Sequence, residues 1–172
     1  AHVLIEPIAE HEPALIEVCA KFPNATHIIA AAAASTGTTQ LRINKDLRHS
    51  SIVEDVIPSE RHIFREIPTI ALDDLVAQSN LQGPFVIKID VDGREVDVLQ
   101  GAKQALKKTE YAIIESTLFG QIYDVMDFMR SQGFVVYDIV ELAYRPLDGA
   151  LWQVDMAFVK ENSIYRKDMR YE

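Results

Sequence analysis

Three short apolar runs in this chain each end on a carboxylate. His2–Ile5 closes on Glu6, Phe85–Ile89 on Asp90, and Tyr111–Ile114 on Glu115, while Asp92 follows two residues after Asp90. If these runs are strands of a parallel sheet, all four acids share one rim, outside the strands' carboxyl ends, where open α/β sheets bind ligands. A rim of carboxylates repels phosphate-rich ligands and suits hydroxyls or positive charge. A carboxylate after the second strand of a dinucleotide-type fold accepts hydrogen bonds from ribose hydroxyls, which is the functional reading for Glu6. Acids at later strand ends can hold an ammonium or sulfonium group or act as a general base.

Each acid also has a structural reading. Glu6 can cap the following helix, Asp90 can shape an Asx turn, and Asp92 suits a helix N-terminus with its favourable dipole. Glu115 can pair with Lys88, whose place inside a strand expected to be buried demands a partner. Asp90-Val91-Asp92-Gly93 comes near calcium-loop spacing, but the further oxygen ligands and terminal glutamate of such a loop are missing. The five histidines and single cysteine show no ligand spacing, and Ser50-Ser51 lacks the glycines of a nucleophile elbow. No metal site is expected.

The elements that must position these acids alternate along the chain. Residues 2–6 read as a strand stopped by Pro7, and Pro13 opens a helix whose Leu15, Val18, Cys19 and Phe22 recur at helical spacing. A second strand starts near His27 and runs into Ala30–Ala34; Thr39–Ile43 alternates as a half-exposed strand. Residues 44–66, with His49, Pro58 and His62, show no period and are expected to be an irregular insertion or a substrate-facing lid. A short helix begins near Asp73, capped from Thr69 or Leu72-Asp73. Gln82-Gly83-Pro84 breaks the chain before the Phe85 strand, and the helix after it puts Val96, Leu99 and Leu106 on one stripe. Then follow a strand at Tyr111–Glu115, a helix with Ile122, Val125, Met126 and Met129 inward, a C-cap glycine at Gly133, a strand at Val135–Ile139, a turn at Pro146–Gly149, and a last, antiparallel strand at Val154–Val159. This alternation implies one α/β domain over 1–172, with a mostly parallel sheet and helices on both faces.

Composition sets the outer bounds. With 48% hydrophobic and 25% charged residues, the 172-residue chain is ordinary for a soluble globular domain. A net charge of −9, from 17 basic and 26 acidic residues, argues against nucleic acid or an anionic membrane surface as partner. One cysteine, Cys19, allows no internal disulfide and fits a reducing, cytoplasmic setting. The longest apolar run, 28–34, is too short to span a bilayer. No heptad seam speaks to oligomeric state.

Beyond these physical readings, IPTIALDDL (67–75), KIDVDG (88–93) and VLQGA (98–102) together resemble the FkbM family of S-adenosylmethionine-dependent methyltransferases. LIEP (4–7), the alanine-rich strand followed by Gly37, and IIE (113–115) extend the resemblance over nearly the whole chain; Asp92 stands where the family usually has Glu. The resemblance implies a Rossmann-like class I methyltransferase sheet, S-adenosylmethionine as donor, and O-methylation of a hydroxyl on a sugar or other natural-product-type small molecule. By motif position Glu6 binds the cofactor ribose, Asp90 lies at the cofactor–substrate boundary with Asp92 and Glu115 nearby, and Asp90 or Glu115 is the base.

Two departures stand out. The family's first strand and glycine-rich loop should precede Glu6 by about 30 residues, whereas only five residues precede it here. An N-terminal βα unit is therefore expected to be missing from this sequence, or its gap filled by another segment. The end of the third strand reads Ala31-Ala32-Ala33, so adenine contacts fall to backbone groups or Ser35. The rival readings are a non-catalytic methyltransferase-like binding module and a magnesium-dependent phosphotransfer enzyme.

Overall fold

The computed structural model describes residues 1–47, 50–53, 57, 61–168 and 170–172. The chain packs as two compact units, Ala1–Leu81 and Gln82–Glu172.

In the first unit, β1 (His2–Glu6) ends at Pro7 as its sequence requires, and α1 (Glu12–Lys21) starts with a proline in its first turn. β2 (Ala25–Ile29) returns parallel to β1 in a two-stranded sheet. β3 (Ala31–Ala32), β4 (Gly37–Asn44), β5 (Ser51–Val53) and β6 (His62–Ile70) form a second sheet in the order β3-β6-β4-β5. α2 (Leu72–Gln78) follows; its N-cap position is Ala71 and not Thr69 or Asp73, and the Thr36 hydroxyl accepts from the Ala71 N–H at 3.1 Å. Two apolar clusters hold this unit, one around Ile8, Leu41, Ile43 and Ile67 and the other around Ala30, Ile70 and Leu75.

The stretch expected to be irregular, 44–66, therefore contains β5 and the first half of β6. β4 and β6 pair antiparallel from Gly37↔Thr69 to Asn44↔His62. One face of an antiparallel pair can carry polar residues, and Arg42, Arg65 and Glu66 on these strands break the apolar alternation that sequence reading relies on. His49 and Pro58 lie outside the described residues.

In the second unit, β7 (Phe85–Ile89) leads through the Asp90–Gly93 turn into α3 (Glu95–Gln100) and α4 (Lys103–Lys107). The single helix expected here is broken at Gly101-Ala102. Leu99 and Leu106 are still fully buried, but Val98 and not Val96 completes the inner face. β8 (Thr109–Thr117) lies parallel to β7. α5 (Ile122–Ser131) buries Val125 and Met129, and Gly133, with φ +76°, closes it in the left-handed conformation that glycine tolerates. β9 (Phe134–Tyr144) and β10 (Leu151–Lys160) form a long hairpin, and the sheet order is β7-β8-β10-β9. The last strand is antiparallel to both neighbours, as its position after β9 suggested.

The sheets are mixed, not mostly parallel: among the described residues three strand pairings are parallel and four antiparallel. The reason is connection length. The β9–β10 link and the turns around β4 are too short for a crossover, and short links join antiparallel neighbours.

Candidate active site

The site is built on β7, β8, β10 and β9 of the second unit. Asp90 leaves the end of β7 beside Glu115, because Ile89 pairs with Ile114. Glu115 lies directly across from Asp155, and Asp155 across from Glu141. Four carboxylates thus occupy one rung across four strands. They line a cleft of about 120 Å³ with Lys88, Ala143, Gln153 and Val154. Like charges placed directly opposite each other in a sheet are destabilising, so this rung is a structural liability.

Lys88 relieves part of it. Its ammonium donates to Asp155 at 2.8 Å and to Asp90 at 3.1 Å. Burial opposes the charge, but these two hydrogen bonds outweigh it and hold the lysine above its ordinary pKa. The partner demanded by Lys88 is therefore Asp155 and Asp90, not Glu115.

Glu115 is left without a cation. Burial, then the charge of Asp90 and a hydrogen bond with it, then the charges of Asp155 and Asp92, push its carboxyl up to about 8. Glu115 thus retains a proton through neutral pH, and that proton is donated to the Asp90 carboxylate.

The turn between β7 and α3 is fixed in an unusual way. Asp92 and Gly93 both have positive φ, +50° and +94°. Aspartate is among the few residues that visit this region, and glycine enters it freely. The buried Glu95 carboxylate accepts from the Gly93 N–H at 2.9 Å, and the Gln121 amide donates to the Gly93 carbonyl. Asp92 does not cap α3, whose N-cap position is Arg94. It stands exposed at the turn and adds to the field on Glu115.

Glu6 and Ser35 belong to the first unit. Glu6 Oε1 accepts from the Ile8 N–H at 2.8 Å, a turn contact that occupies one carboxylate oxygen; the N-cap positions of the following 3-10 turn and of α1, Ile8 and His11, carry no side-chain cap bond, so Glu6 does not cap the helix. Ser35 is exposed between β3 and β4, and its carbonyl accepts from the Thr69 hydroxyl at 2.9 Å.

Of the expected residues, Asp90, Asp92 and Glu115 come together in one site. Asp155 and Glu141 were not among them. Asp155 had a signal: an acid inside the apolar alternation of Val154–Val159, and a lysine in a neighbouring strand that needed a partner. Glu141 had none, because it sits on an exposed strand whose flanking Val140 and Leu142 give no alternation to mark an inner face.

Comparison with known proteins now bears on this arrangement. The model of the methyltransferase FkbM domain matches residues 2–136. The chain belongs to the FkbM methyltransferase family. Over 49 residues it is 41% identical to the hexuronic acid methyltransferase AglP of Haloferax volcanii, a stretch covering 28% of this chain and 20% of that protein. The crystal structure of methyltransferase FkbM from Methylobacillus flagellatus matches 91% of this chain and 36% of its own, with a TM-score of 0.52 at 18% identity. This likeness shows a methyltransferase-like α/β fold with mixed sheets. The FkbM chain described here spans about a third or less of the length of these two proteins.

Proposed function

We propose that this chain is the catalytic domain of an S-adenosylmethionine-dependent O-methyltransferase acting on a hydroxyl of a sugar or similar small molecule. The observation that carries the reading is the row of Asp90, Glu115 and Asp155 across neighbouring strands of one cleft, with Lys88 bonded to Asp90 and Asp155 and not to Glu115. Strongly shifted carboxyls in a cleft mark sites where protons are moved, and a base with its pKa near the working pH is the efficient choice for taking a hydroxyl proton. Family membership supplies the reaction class, and the name of the Haloferax protein supports a sugar as acceptor.

Taken unit by unit, the residue types suit parts of that cofactor. Glu6 spends one oxygen on its own turn, leaving the other for ribose hydroxyls. Ser35 offers an exposed hydroxyl toward an adenine. The acidic rung and Asp92 complement a positively charged group. When bound, the cofactor supplies an electrophilic methyl group on a cationic sulfur. The chain's own part is to orient the acceptor and to take its proton: the fraction of molecules in which Glu115 has lost its proton, growing as pH rises toward 8, accepts the hydroxyl proton on Glu115 as the oxygen becomes nucleophilic.

The same reading places the domain in the Rossmann-like class I arrangement. Among the described residues β7 has no neighbour on its outer edge, and Val86 there is 75% exposed.

Calorimetric titration of S-adenosylhomocysteine into the intact protein tests the proposal. Micromolar binding is expected, weakened at least about tenfold by Glu6→Ala, since each lost hydrogen bond to a charged group is worth about 1.5–3 kcal/mol. Absence of binding would overturn it in favour of a binding module without catalysis.

A further inference from the structure

The acid cleft is too small to hold an acceptor. At about 120 Å³ it falls well below the roughly 300–1,000 Å³ of pockets that bury a whole ligand. It admits a hydroxyl and its neighbours, so the rest of the acceptor must lie on adjoining surface. One such surface is carried by the residue next along β10 to Gln153 of the cleft. Phe119 and Trp152 stack with ring centroids 5.3 Å apart and planes at 26°, and the Arg145 guanidinium lies over both, 5.1 Å and 5.8 Å from the two centroids. Both rings remain open to solvent, Phe119 at 62% and Trp152 at 38%.

Several features hold these rings in place although little burial rewards it. Trp152 is the extra residue of a β-bulge, since Leu151 pairs with Tyr144 and Gln153 with Ala143. Bulges re-aim side chains and gather next to active sites. The Trp152 carbonyl accepts from the Leu118 N–H at 2.8 Å, tying the bulge to the turn that carries Phe119. Gly120 closes that turn, and a Cβ there would stand 2.4 Å from the Thr117 hydroxyl. Arg145 is fixed by Asp148, which grips its Nε and one terminal nitrogen, and by its own N–H donating to the Ala150 carbonyl at 2.8 Å.

We propose that Phe119 and Trp152 form a stacking subsite for a sugar ring of the acceptor, held in shape by Arg145 and Asp148. This rests on the reading of the cleft as the place where the acceptor hydroxyl loses its proton. The Arg145 charge is already neutralised by Asp148, so the platform is no phosphate receptor. Exposed aromatic faces suit the apolar C–H face of a pyranose, and the nearby carboxylates suit its hydroxyls. Trp152 and Asp155 are three residue steps apart along β10, about 10 Å, which is the span of a disaccharide. The ring on the platform is therefore the neighbour of the ring that is methylated, and the acceptor is a glycoside at least two residues long.

Trp152 is the chain's single tryptophan, so its emission reports this site alone. The experiment titrates the intact protein with methyl glycosides of a monosaccharide and a disaccharide, each in a neutral and a uronic-acid form, and separately with adenosine. A saturable change with a disaccharide is expected, at least about tenfold weaker with the monosaccharide, and about tenfold weaker in Phe119→Ala. Because Phe119 is largely exposed, its thermal midpoint should stay close to the parent's; Phe119→Tyr, which keeps the ring, should restore binding. Response to adenosine alone, or to no glycoside while S-adenosylhomocysteine binds, would overturn the subsite and leave the methyltransferase reading standing. Glycoside binding without S-adenosylhomocysteine binding would do the reverse.

Discussion

At the scale of single residues, the account turns on Glu115. Its partners were visible in part: the strand-end acids Asp90 and Glu115 could be placed on one rim from the sequence, and the turn at Asp92-Gly93 announced itself by its glycine. What the sequence did not carry was the pairing across strands. Asp155 meets Glu115 only through the register of β10 on β8, and no local pattern encodes that register. Glu115→Gln should lower the methyl-transfer rate about 10²–10⁴-fold, the usual worth of a general base, in steady-state assays of the intact enzyme. Stability should move the other way. The folded Glu115 titrates near 8, against an ordinary value of 4.5 in the unfolded chain. Below 4.5 both states hold the proton; between 4.5 and 8 the unfolded state releases it first, so this contribution is lost as pH rises through the folded value. The variant should therefore gain in melting temperature relative to the parent as pH goes from 5 to 8.5, a difference that vanishes at low pH.

At the scale of elements, helical period and strand alternation located nearly every segment of the second unit. α5 is the clearest case, with Val125 and Met129 fully buried at i, i+4 spacing. Met129→Ala should cost about 2–5 kcal/mol, as emptying a buried site usually does, read from a urea midpoint at constant slope. By contrast, Met126 shares the apolar pattern but is 39% exposed, so Met126→Ala should cost far less. β5 and the start of β6 escaped recognition because three-residue strands and polar outer faces leave too few apolar positions to reveal a period. The break between α3 and α4 is of the same kind: Gly101-Ala102 are small residues inside an otherwise continuous stripe.

At the scale of the whole molecule, the α/β class was legible and the sheet topology was not. Alternating elements imply parallel crossovers unless a connection is short, and β10, returning from β9 by a hairpin, makes two of the three pairings in its sheet antiparallel. That sheet has a definite inside: β8 and β10 are paired on both edges, whereas β7 and β9 are paired on one. Amide hydrogen exchange should follow this order, with 112–116 and 154–159 slowest and 136–142 markedly faster, because edge strands open without global unfolding. No helix among the described residues is long and apolar enough to cross a membrane.

The most direct test of the central claim is the titration of the Glu115 side-chain carboxyl by carbon NMR, its signal assigned by its loss in Glu115→Gln. A proton shared with Asp90 requires a midpoint near 8, falling toward the ordinary range when Asp90→Asn removes the neighbouring charge. A midpoint near 4.5 in the parent protein would contradict the account, because Glu115 would then be too weak a base to take the proton of an acceptor hydroxyl.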